Sequence, residues 1–160
     1  MSERPILDAD VRRFVSEGRT ATMATIAPDG RPRLVPVCFI LADRDDDRRR
    51  PLLYTPLDEK PKTVEDPRRL ARVRDLLVLP DVTLLVDRWS EDWDELAWVR
   101  LYGSAELLEP EARELAEHQR AVAALEAKYP QYASHALAGR PVIRVAIERA
   151  VGWGRIPGPR

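Results

Sequence analysis

The stretch that decides the fold, residues 96–108, reads Leu96-Ala97-Trp98-Val99-Arg100-Leu101-Tyr102-Gly103-Ser104-Ala105-Glu106-Leu107-Leu108. Every second residue from Ala97 to Gly103 is small or apolar, and the residues between them are aromatic, charged or polar. Side chains on a β-strand alternate between its two faces, so this pattern predicts a long strand with one buried face.

Shorter segments on either side predict the rest of the architecture. β-rich runs predict five further strands, at residues 20–26, 32–41, 52–55, 82–89 and 141–148. Helical spacing and capping residues predict three helices, at residues 8–17, 67–78 and 110–128. The short connections favour antiparallel pairing. We therefore expect one mainly β (α+β) domain over residues 1–160, a six-stranded antiparallel barrel, closed or nearly closed, with peripheral helices.

Three local signals refine this scheme. The turn sequence Pro28-Asp29-Gly30 predicts a β-hairpin between the first two strands. Pro36 removes one hydrogen-bond donor, so its strand should lie at an edge, carry a bulge or be approached by another group. Asp66 is expected to cap the second helix, and residues 150–158, which include Trp153, are expected to form a tail after the last strand.

Composition excludes several classes of protein. The formal net charge is -1 with 33% charged residues, which argues against a nucleic-acid-binding surface. No apolar run approaches 18 residues, so we expect no membrane span and a cytoplasmic location. The single cysteine, Cys38, lies between Val37 and Phe39 and predicts a core thiol without a disulfide. Residues 43–50 alternate from acidic to basic and are expected to form an exposed, mobile loop.

Lysine is rare in this chain, and two of its three copies lie in the pentapeptide Glu59-Lys60-Pro61-Lys62-Thr63. The other 23 basic residues are arginines. The pair follows a predicted strand and precedes a predicted helix, an arrangement that suits a site for phosphate or another anion. Solvated loop lysines are an equally good interpretation of the spacing alone.

No set of residues for protein-based catalysis is visible. His118 and His135 lie on or just after the predicted long helix, and neither Cys38 nor any histidine has metal-ligand spacing. A chain without its own acid, base or nucleophile can still be an enzyme if a cofactor carries the reaction. Lys60 and Lys62 could then bind a cofactor phosphate, and the backbone at Thr25 and Pro36 could contact its ring.

The four tryptophans have two interpretations. Trp89 and Trp98 fit a core or a dimer interface. Trp93, in an acidic turn, and Trp153, in a Gly-Trp-Gly tail, suit a ring-stacking lid or a subunit contact instead.

In the order and spacing of its segments the chain resembles the flavin/deazaflavin oxidoreductases of the FMN-binding split-barrel class, relatives of pyridoxamine 5′-phosphate oxidase. In actinobacteria many of these use the deazaflavin F420. The resemblance rests on five segments: residues 21–32, residues 53–55, Lys60-Pro61-Lys62-Thr63, residues 80–87, and Glu91-Asp92-Trp93 followed by residues 98–105. The stretch with Asp92-Trp93 and Trp98-Val99-Arg100 is most similar to the F420-dependent subgroup.

The resemblance implies a homodimer with a cofactor site at the subunit interface and a small-molecule substrate. Lys60 and Lys62, with the adjoining Thr63, match positions that meet the cofactor phosphate or tail. Thr25 and the strand Leu34-Val35-Pro36-Val37 match the wall along the ring, and Trp153 matches a C-terminal segment that reaches toward the site. F420 is the expected cofactor, with FMN as the alternative.

Three functions remain open at this stage. The first is a cofactor-dependent oxidoreductase that transfers a hydride between F420 or FMN and a small organic substrate, with no catalytic side chain and no metal. The second is a non-catalytic F420- or flavin-binding protein for storage or sensing. The third is a split barrel that handles haem or binds pyridoxal phosphate.

Overall fold

The computed structural model describes residues 4–57 and 66–156, which form seven strands and three α-helices. In chain order these are α1 (Ala9–Glu17), β1 (Ala21–Ile26), β2 (Pro32–Val37), β3 (Ile40–Leu41), β4 (Leu52–Pro56), α2 (Ala71–Val78), β5 (Asp81–Arg88), β6 (Ala97–Leu108), α3 (Leu115–Lys128) and β7 (Val142–Gly154). Short 3₁₀ turns occur at Pro67–Arg69, Trp93–Glu95, Pro130–Ser134 and Leu137–Gly139.

The seven strands form one antiparallel sheet in the order β2-β1-β5-β6-β7-β4-β3. The edge strands β2 and β3 are consecutive in the chain and are joined through Cys38 and Phe39. Six spacings of ~4.8 Å would separate the edges of a flat sheet by roughly 29 Å. The three Cα steps from Val37 to Ile40 span at most about 11 Å. The sheet must therefore curl until its edges approach, which produces the predicted split barrel.

The strand count differs from the prediction by one because the expected strand at residues 32–41 is divided. The backbone N–H of Phe39 donates to the hydroxyl of Tyr129, at 3.1 Å, and that hydroxyl also lies 3.0 Å from the carbonyl oxygen of Phe39. A side chain following α3 thus replaces the ladder partner that would have continued β2. Pro36 lies on the edge strand β2, as its missing donor predicted.

The barrel interior is packed with apolar side chains from every wall. Val99 and Leu101 of β6 are fully buried, which confirms the alternation predicted for that strand. Gly103, on the same face, could not be replaced freely, since a Cβ there would lie 2.4 Å from the carbonyl oxygen of Ala146. A second apolar cluster lies between β3, β4 and α3 and includes Ile40, Tyr54, Leu108, Val122, Leu125 and Tyr132.

Several predicted boundaries were wrong. The long helix begins at Leu115 rather than at residue 110, and the carboxylate of Glu114 accepts from the N–H of Glu109 just before it. The last strand continues to Gly154, so the expected tail is largely strand. Gly154 adopts φ +84°, and a Cβ there would lie 2.1 Å from the carbonyl oxygen of Leu96. This glycine lets β7 run close against the start of β6.

Other expectations were confirmed or only partly met. Asp66 accepts from the N–H of Arg68 and Pro67 follows it, but they begin a separate 3₁₀ turn, and the predicted helix over 67–78 starts only at Ala71. Most of residues 43–50 are exposed, whereas Asp46 and Arg50 are half-buried. Asp46 organises the segment into a turn by accepting from the N–H groups of Arg48 and Arg50. Cys38 is half-buried and packs against the second cluster. None of the helices within residues 4–57 and 66–156 has the length and apolarity needed to cross a bilayer.

Candidate functional site

Thr25 belongs to a buried polar cluster at one end of the barrel. Its hydroxyl donates to Oδ2 of Asp75, at 2.8 Å, and Nε of Arg33 donates to the same oxygen, at 2.7 Å. Thr25 is fully buried, and the Asp75 side chain is 3% exposed, whereas the Arg33 side chain is 41% exposed. One carboxylate on α2 therefore fixes β1 and directs a half-exposed guanidinium of β2 to the barrel end.

Sequence reasoning missed Asp75. It lies on the predicted second helix among apolar residues, and a helix carboxylate in that setting carries no distinctive spacing. The only available signal was its neighbour Leu76, which marks the buried side of α2. The partner Thr25 is fifty positions away, so only the tertiary structure brings the pair together.

The other predicted ring-wall residues follow one another along β2. Pro36 is exposed, Val35 is half-buried and Val37 is buried, with 7% of its surface exposed. Val37 therefore belongs to the core and offers a ligand only its backbone. Leu34, by contrast, is 65% exposed, so the outward side of this edge strand is partly apolar.

The predicted lysine site lies outside the described residues, as do Lys60, Lys62 and Thr63 themselves. The strand that leads to them is described. Thr55 of β4 is 1% exposed, and its hydroxyl has no hydrogen-bond partner within residues 4–57 and 66–156. A buried hydroxyl without a partner is costly, by about 1–3 kcal/mol. The Thr55 hydroxyl can therefore donate a hydrogen bond to, or accept one from, a group bound at the end of β4.

Trp153 is placed by β7 beside Trp98 of β6. The two indole rings are stacked, with centroids 6.4 Å apart and planes 20° from parallel, and Trp153 is 53% exposed. On the same outward face the guanidinium of Arg100 lies 4.9 Å from the Trp98 ring and 5.9 Å from the Tyr102 ring. The guanidinium of Arg149 lies 4.1 Å from the Tyr102 ring. These five residues are called the aromatic shelf below.

The tryptophan predictions had mixed outcomes. Trp93 is 75% exposed and Trp153 is 53% exposed, which agrees with their non-core interpretation. Trp89 is 70% exposed, so the core interpretation of that residue was wrong. It lies just beyond β5, where no strand covers it. Trp98 is half-buried against Trp153.

Strand register shows which predicted residues lie near one another. Thr25 faces the barrel interior, whereas Trp153 faces outward and lies three strands away, so one chain does not bring them together. Pro36 is different. It pairs with Thr22, Thr22 pairs with Leu85, and Leu85 pairs with Arg100. A single row across the outer face thus connects the β2 wall to the aromatic shelf.

The surroundings of Tyr54 and Lys128 shift their pKa values, and neither side chain is placed to act as an acid or base at the candidate site. Tyr54 donates to Glu117 at 2.6 Å, and burial together with that carboxylate raises the pKa of Tyr54. It therefore stays protonated. Burial lowers the pKa of Lys128 to about 8, aided by the nearby positive charge of Arg19. The ammonium lies 4.1 Å from the ring of Phe39, away from the shelf and from Thr55.

No cluster of three or more His, Cys, Asp or Glu side chains in the described ranges could hold a metal ion. Those ranges do offer groups that can bind a ligand: the hydroxyl of Thr55, the half-exposed guanidinium of Arg33, the edge strand β2 and the aromatic shelf.

Similarity to known proteins was found at two levels. The family described as pyridoxamine 5′-phosphate oxidase matches residues 7–154. No curated protein matches the chain significantly.

Three solved structures illustrate the second level. The conserved hypothetical protein Rv2991 from Mycobacterium tuberculosis has a TM-score of 0.69 and 22% identity over 100% of this chain and 95% of that one. An FAD-binding protein from Mesorhizobium loti has a TM-score of 0.57 and 20% identity over 88% and 87% of the two chains. HutZ, the haem storage protein of Vibrio cholerae, has a TM-score of 0.63 and 15% identity over 92% and 94%. At these identities the likeness establishes the fold.

Proposed function

The chain belongs to the pyridoxamine 5′-phosphate oxidase family, and on that premise we propose that it is a homodimeric, cofactor-dependent oxidoreductase. The cofactor is F420, with FMN as the alternative, and a hydride passes between its ring and a small organic substrate. The observation that carries the proposal is the buried hydroxyl of Thr55, because it has no hydrogen-bond partner among the described residues and a ligand at the end of β4 could supply one.

The anionic end of the cofactor would lie at the end of β4. Thr55 is five residues before Lys60 and seven before Lys62, so the two lysines follow directly on the strand that carries the hydroxyl. Lysine ammonium groups bind phosphate as compact charges, and a hydroxyl can donate to the same oxygens. The sequence assigns three residues to this end of the cofactor, namely Lys60, Lys62 and Thr63. Thr55 is added because its hydroxyl is buried next to them in the chain without a hydrogen-bond partner in the described ranges.

The ring would lie along β2. Along one side of this edge strand no strand of the described ranges pairs with the backbone donors and acceptors, and Leu34 and Pro36 add exposed apolar surface. Val35 and the backbone of Val37 continue the wall. Arg33, held by Asp75, places a half-exposed guanidinium beside it.

The protein's own contribution is to bind, orient and exclude water. The bound cofactor supplies the hydride chemistry, which requires no protein acid or base. The interior behind β1 and β2 is filled mainly by apolar side chains, with Thr25 and Asp75 as its buried polar pair, so it backs the β2 wall firmly. Rigid positioning of two reacting rings is the form of catalysis available to such a site.

A second copy of the chain would complete the site. Leu34, Leu77 and Val78 are 65%, 63% and 87% exposed, and exposed large apolar residues are candidates for an interaction surface. A site open along a sheet edge also needs a cover that the described residues do not supply. Size-exclusion chromatography with light scattering should give a mass near 36 kDa, twice the 18.2 kDa of one chain. A monomer at micromolar concentration would contradict the dimer.

A storage role shares this site and differs only in turnover. A haem role through His118 is disfavoured, because this side chain is 1% exposed and its Nε2 lies 2.6 Å from the carbonyl oxygen of Arg140.

The decisive experiment combines binding, turnover and two variants. F420 and FMN are titrated by fluorescence, and the reduced cofactor is then offered quinones and enones while its absorbance is followed. We expect binding of one cofactor and oxidation by at least one acceptor. Binding without turnover of any acceptor would favour storage, and binding of neither cofactor would remove both functions.

Thr55→Val tests directly whether the unpaired hydroxyl of Thr55 takes part in cofactor binding. Replacing the orphaned hydroxyl with a methyl group of equal size should stabilise the ligand-free protein by about 1 kcal/mol and weaken cofactor binding.

Lys62→Ala should weaken cofactor binding by roughly 1.5–3 kcal/mol while the dimer persists. Arg113→Ala, an exposed arginine before α3, is the matched control and should change neither value. Unchanged affinity in Lys62→Ala would return the lysines to the solvated-loop interpretation.

A further inference from the structure

The aromatic shelf has features that the cofactor site does not use. It consists of Trp98, Arg100, Tyr102, Arg149 and Trp153 on the outward face of β6 and β7. We propose that the shelf binds a flat aromatic anion and that such molecules are the substrate class of the enzyme. The inference rests on the proposed function for the reaction, and on the shelf alone for the ligand.

The two indole rings are the reason for expecting a flat ligand. Trp98 and Trp153 face one another across the β6–β7 ladder and are close to parallel, at 20°. Their stack leaves the outer ring, that of Trp153, 53% exposed. An aromatic ligand can continue this stack and bury an indole face that water now covers, which favours planar molecules over puckered ones.

The two arginines are the reason for expecting a negatively charged ligand. Arg100 lies between the rings of Trp98 and Tyr102, and Arg149 lies over Tyr102, yet neither has a carboxylate partner in the part of the chain that the structure describes. Other arginines are paired, as Arg144 is with Glu117 and Arg33 with Asp75. Asp87, an exposed carboxylate opposite Trp98 in the ladder, forms no ion pair with either guanidinium group within the described residues.

The environment of Arg100 strengthens this argument. Its Nε is buried without a hydrogen-bond partner, so the guanidinium is held by its contacts with aromatic rings rather than by hydrogen bonds of its own. A cation held over aromatic rings keeps its outer N–H groups available and needs no reorganisation when an anion arrives. The arrangement suits a carboxylate, sulfonate or phenolate on an aromatic ring.

The shelf is also positioned for the reaction. The row Pro36, Thr22, Leu85 and Arg100 runs across one outward face, so a ring lying along β2 and a ligand on the shelf share that face. Three strand spacings of ~4.8 Å separate Pro36 from Arg100, roughly 14 Å, which two flat ring systems placed side by side would fill.

The test uses three probes of similar size in isothermal titration calorimetry with the purified protein. 2-Naphthoate is flat and anionic, 2-naphthamide is flat and neutral, and cyclohexanecarboxylate is anionic without a flat ring. We expect naphthoate to bind at least about tenfold more tightly than either of the others, since both stacking and a charged contact contribute. Equal binding of the three probes, or no binding because a partner copy covers Trp153, would overturn the proposal.

Two pairs of variants locate the binding. Arg100→Gln and Trp153→Ala should each weaken naphthoate binding roughly tenfold. Arg113→Gln and Leu115→Ala alter exposed residues at or just before the start of α3, which does not carry the shelf, and should leave naphthoate binding unchanged. Melting temperatures are measured alongside, because a shelf variant that binds normally while folding normally contradicts the assignment.

A final titration separates this inference from the proposed function. Naphthoate is added to protein saturated with the cofactor that binds. Independent or cooperative binding supports a substrate position beside the cofactor. Displacement of the cofactor would show that the shelf holds the cofactor ring and would overturn the substrate assignment. If neither cofactor binds but naphthoate does, the shelf stands and the oxidoreductase proposal fails.

Discussion

The two faces of the central sheet differ more than any other two regions of this molecule. On β5, Leu84 is fully buried in the barrel and the next residue, Leu85, is half-buried on the outer face. On β6 the inner residues are Val99 and Leu101, whereas the outer ones include Arg100. The inner face is mainly apolar, with Thr25, Asp75 and Thr55 as buried polar groups, and the outer face at the shelf combines aromatic rings with arginines that have no carboxylate partner among the described residues. The difference indicates that the inner face mainly maintains the fold, whereas the shelf is open to a ligand or a partner.

The largest effect should come from matched leucines on β5. Leu84→Ala should lower the free energy of unfolding by about 3–4 kcal/mol, because it opens a cavity in a packed interior. Leu85→Ala removes the same atoms from the outer face and should cost about 1 kcal/mol or less. Urea denaturation of both variants measures the contrast. Equal losses would mean that the outer face is as deeply packed as the interior.

The next effect concerns the one carboxylate that joins the inner wall to the site. Asp75→Asn should destabilise the protein by about 2 kcal/mol, since the buried oxygen that serves Thr25 and Arg33 loses its charge. Cofactor affinity should also fall as Arg33 is released. Asp87→Asn is the control on the outer face and should leave stability nearly unchanged in the same denaturation experiment. If Asp87→Asn lowered the free energy of unfolding as much as Asp75→Asn, the two faces of the sheet would not differ in this respect.

Lys128 tests whether a cation is tolerated near the interior. Its pKa is lowered to about 8 from an ordinary 10.5, so the unfolded chain binds more protons between those two values. The stability of the native protein should therefore rise with pH from about 8 to 10.5, and below pH 8 the buried charge is destabilising throughout. Lys128→Met should remove this dependence and stabilise the protein by about 1 kcal/mol at pH 7. Thermal melts across this pH range, compared between the two proteins, measure it.

The smallest effect should come from the exposed turn at residues 43–50. Burial raises the pKa of Asp46, but N–H and side-chain hydrogen bonds from Arg50 and the N–H of Arg48 outweigh it, and the net pKa is lowered. A lowered carboxyl pKa contributes stability above the unfolded value of 3.8 that is lost as the pH falls through the folded value. Asp46→Asn should therefore reduce stability at pH 7 and converge with the native protein in acid. Parallel melting curves at every pH would contradict the role of Asp46.

Prediction from the sequence was most successful where the signal is periodic. The two faces of β6, the hairpin after β1 and the edge position of β2 all follow from alternation, turn residues and Pro36, and each is local in the chain. Prediction failed where a distant group took over. The strand from residue 32 was interrupted by the hydroxyl of Tyr129, and the supposed tail became strand because Gly152 and Gly154 pair with Val99 and Ala97.

The candidate site shows the same division. Thr25, Val35, Pro36 and Trp153 were selected by resemblance, and the structure separates them into an interior position, an edge wall and an outward shelf. Asp75, Thr55 and Arg149 were not selected at all. Their significance depends on a contact or on its absence, and neither leaves a trace in spacing along the chain.

Sequence alone determined that this is a small β-rich domain built on residues 96–108, because side-chain alternation on a strand is a local property that burial of one face enforces. The sequence also identified the lysine pair, because the rarity of lysine and the spacing of the pair are visible without a structure. Only the tertiary structure decided how the sheet curls, which hydroxyl stays unpaired and which arginines lack partners. Those facts depend on residues far apart in the chain meeting, or failing to meet, once the barrel has formed.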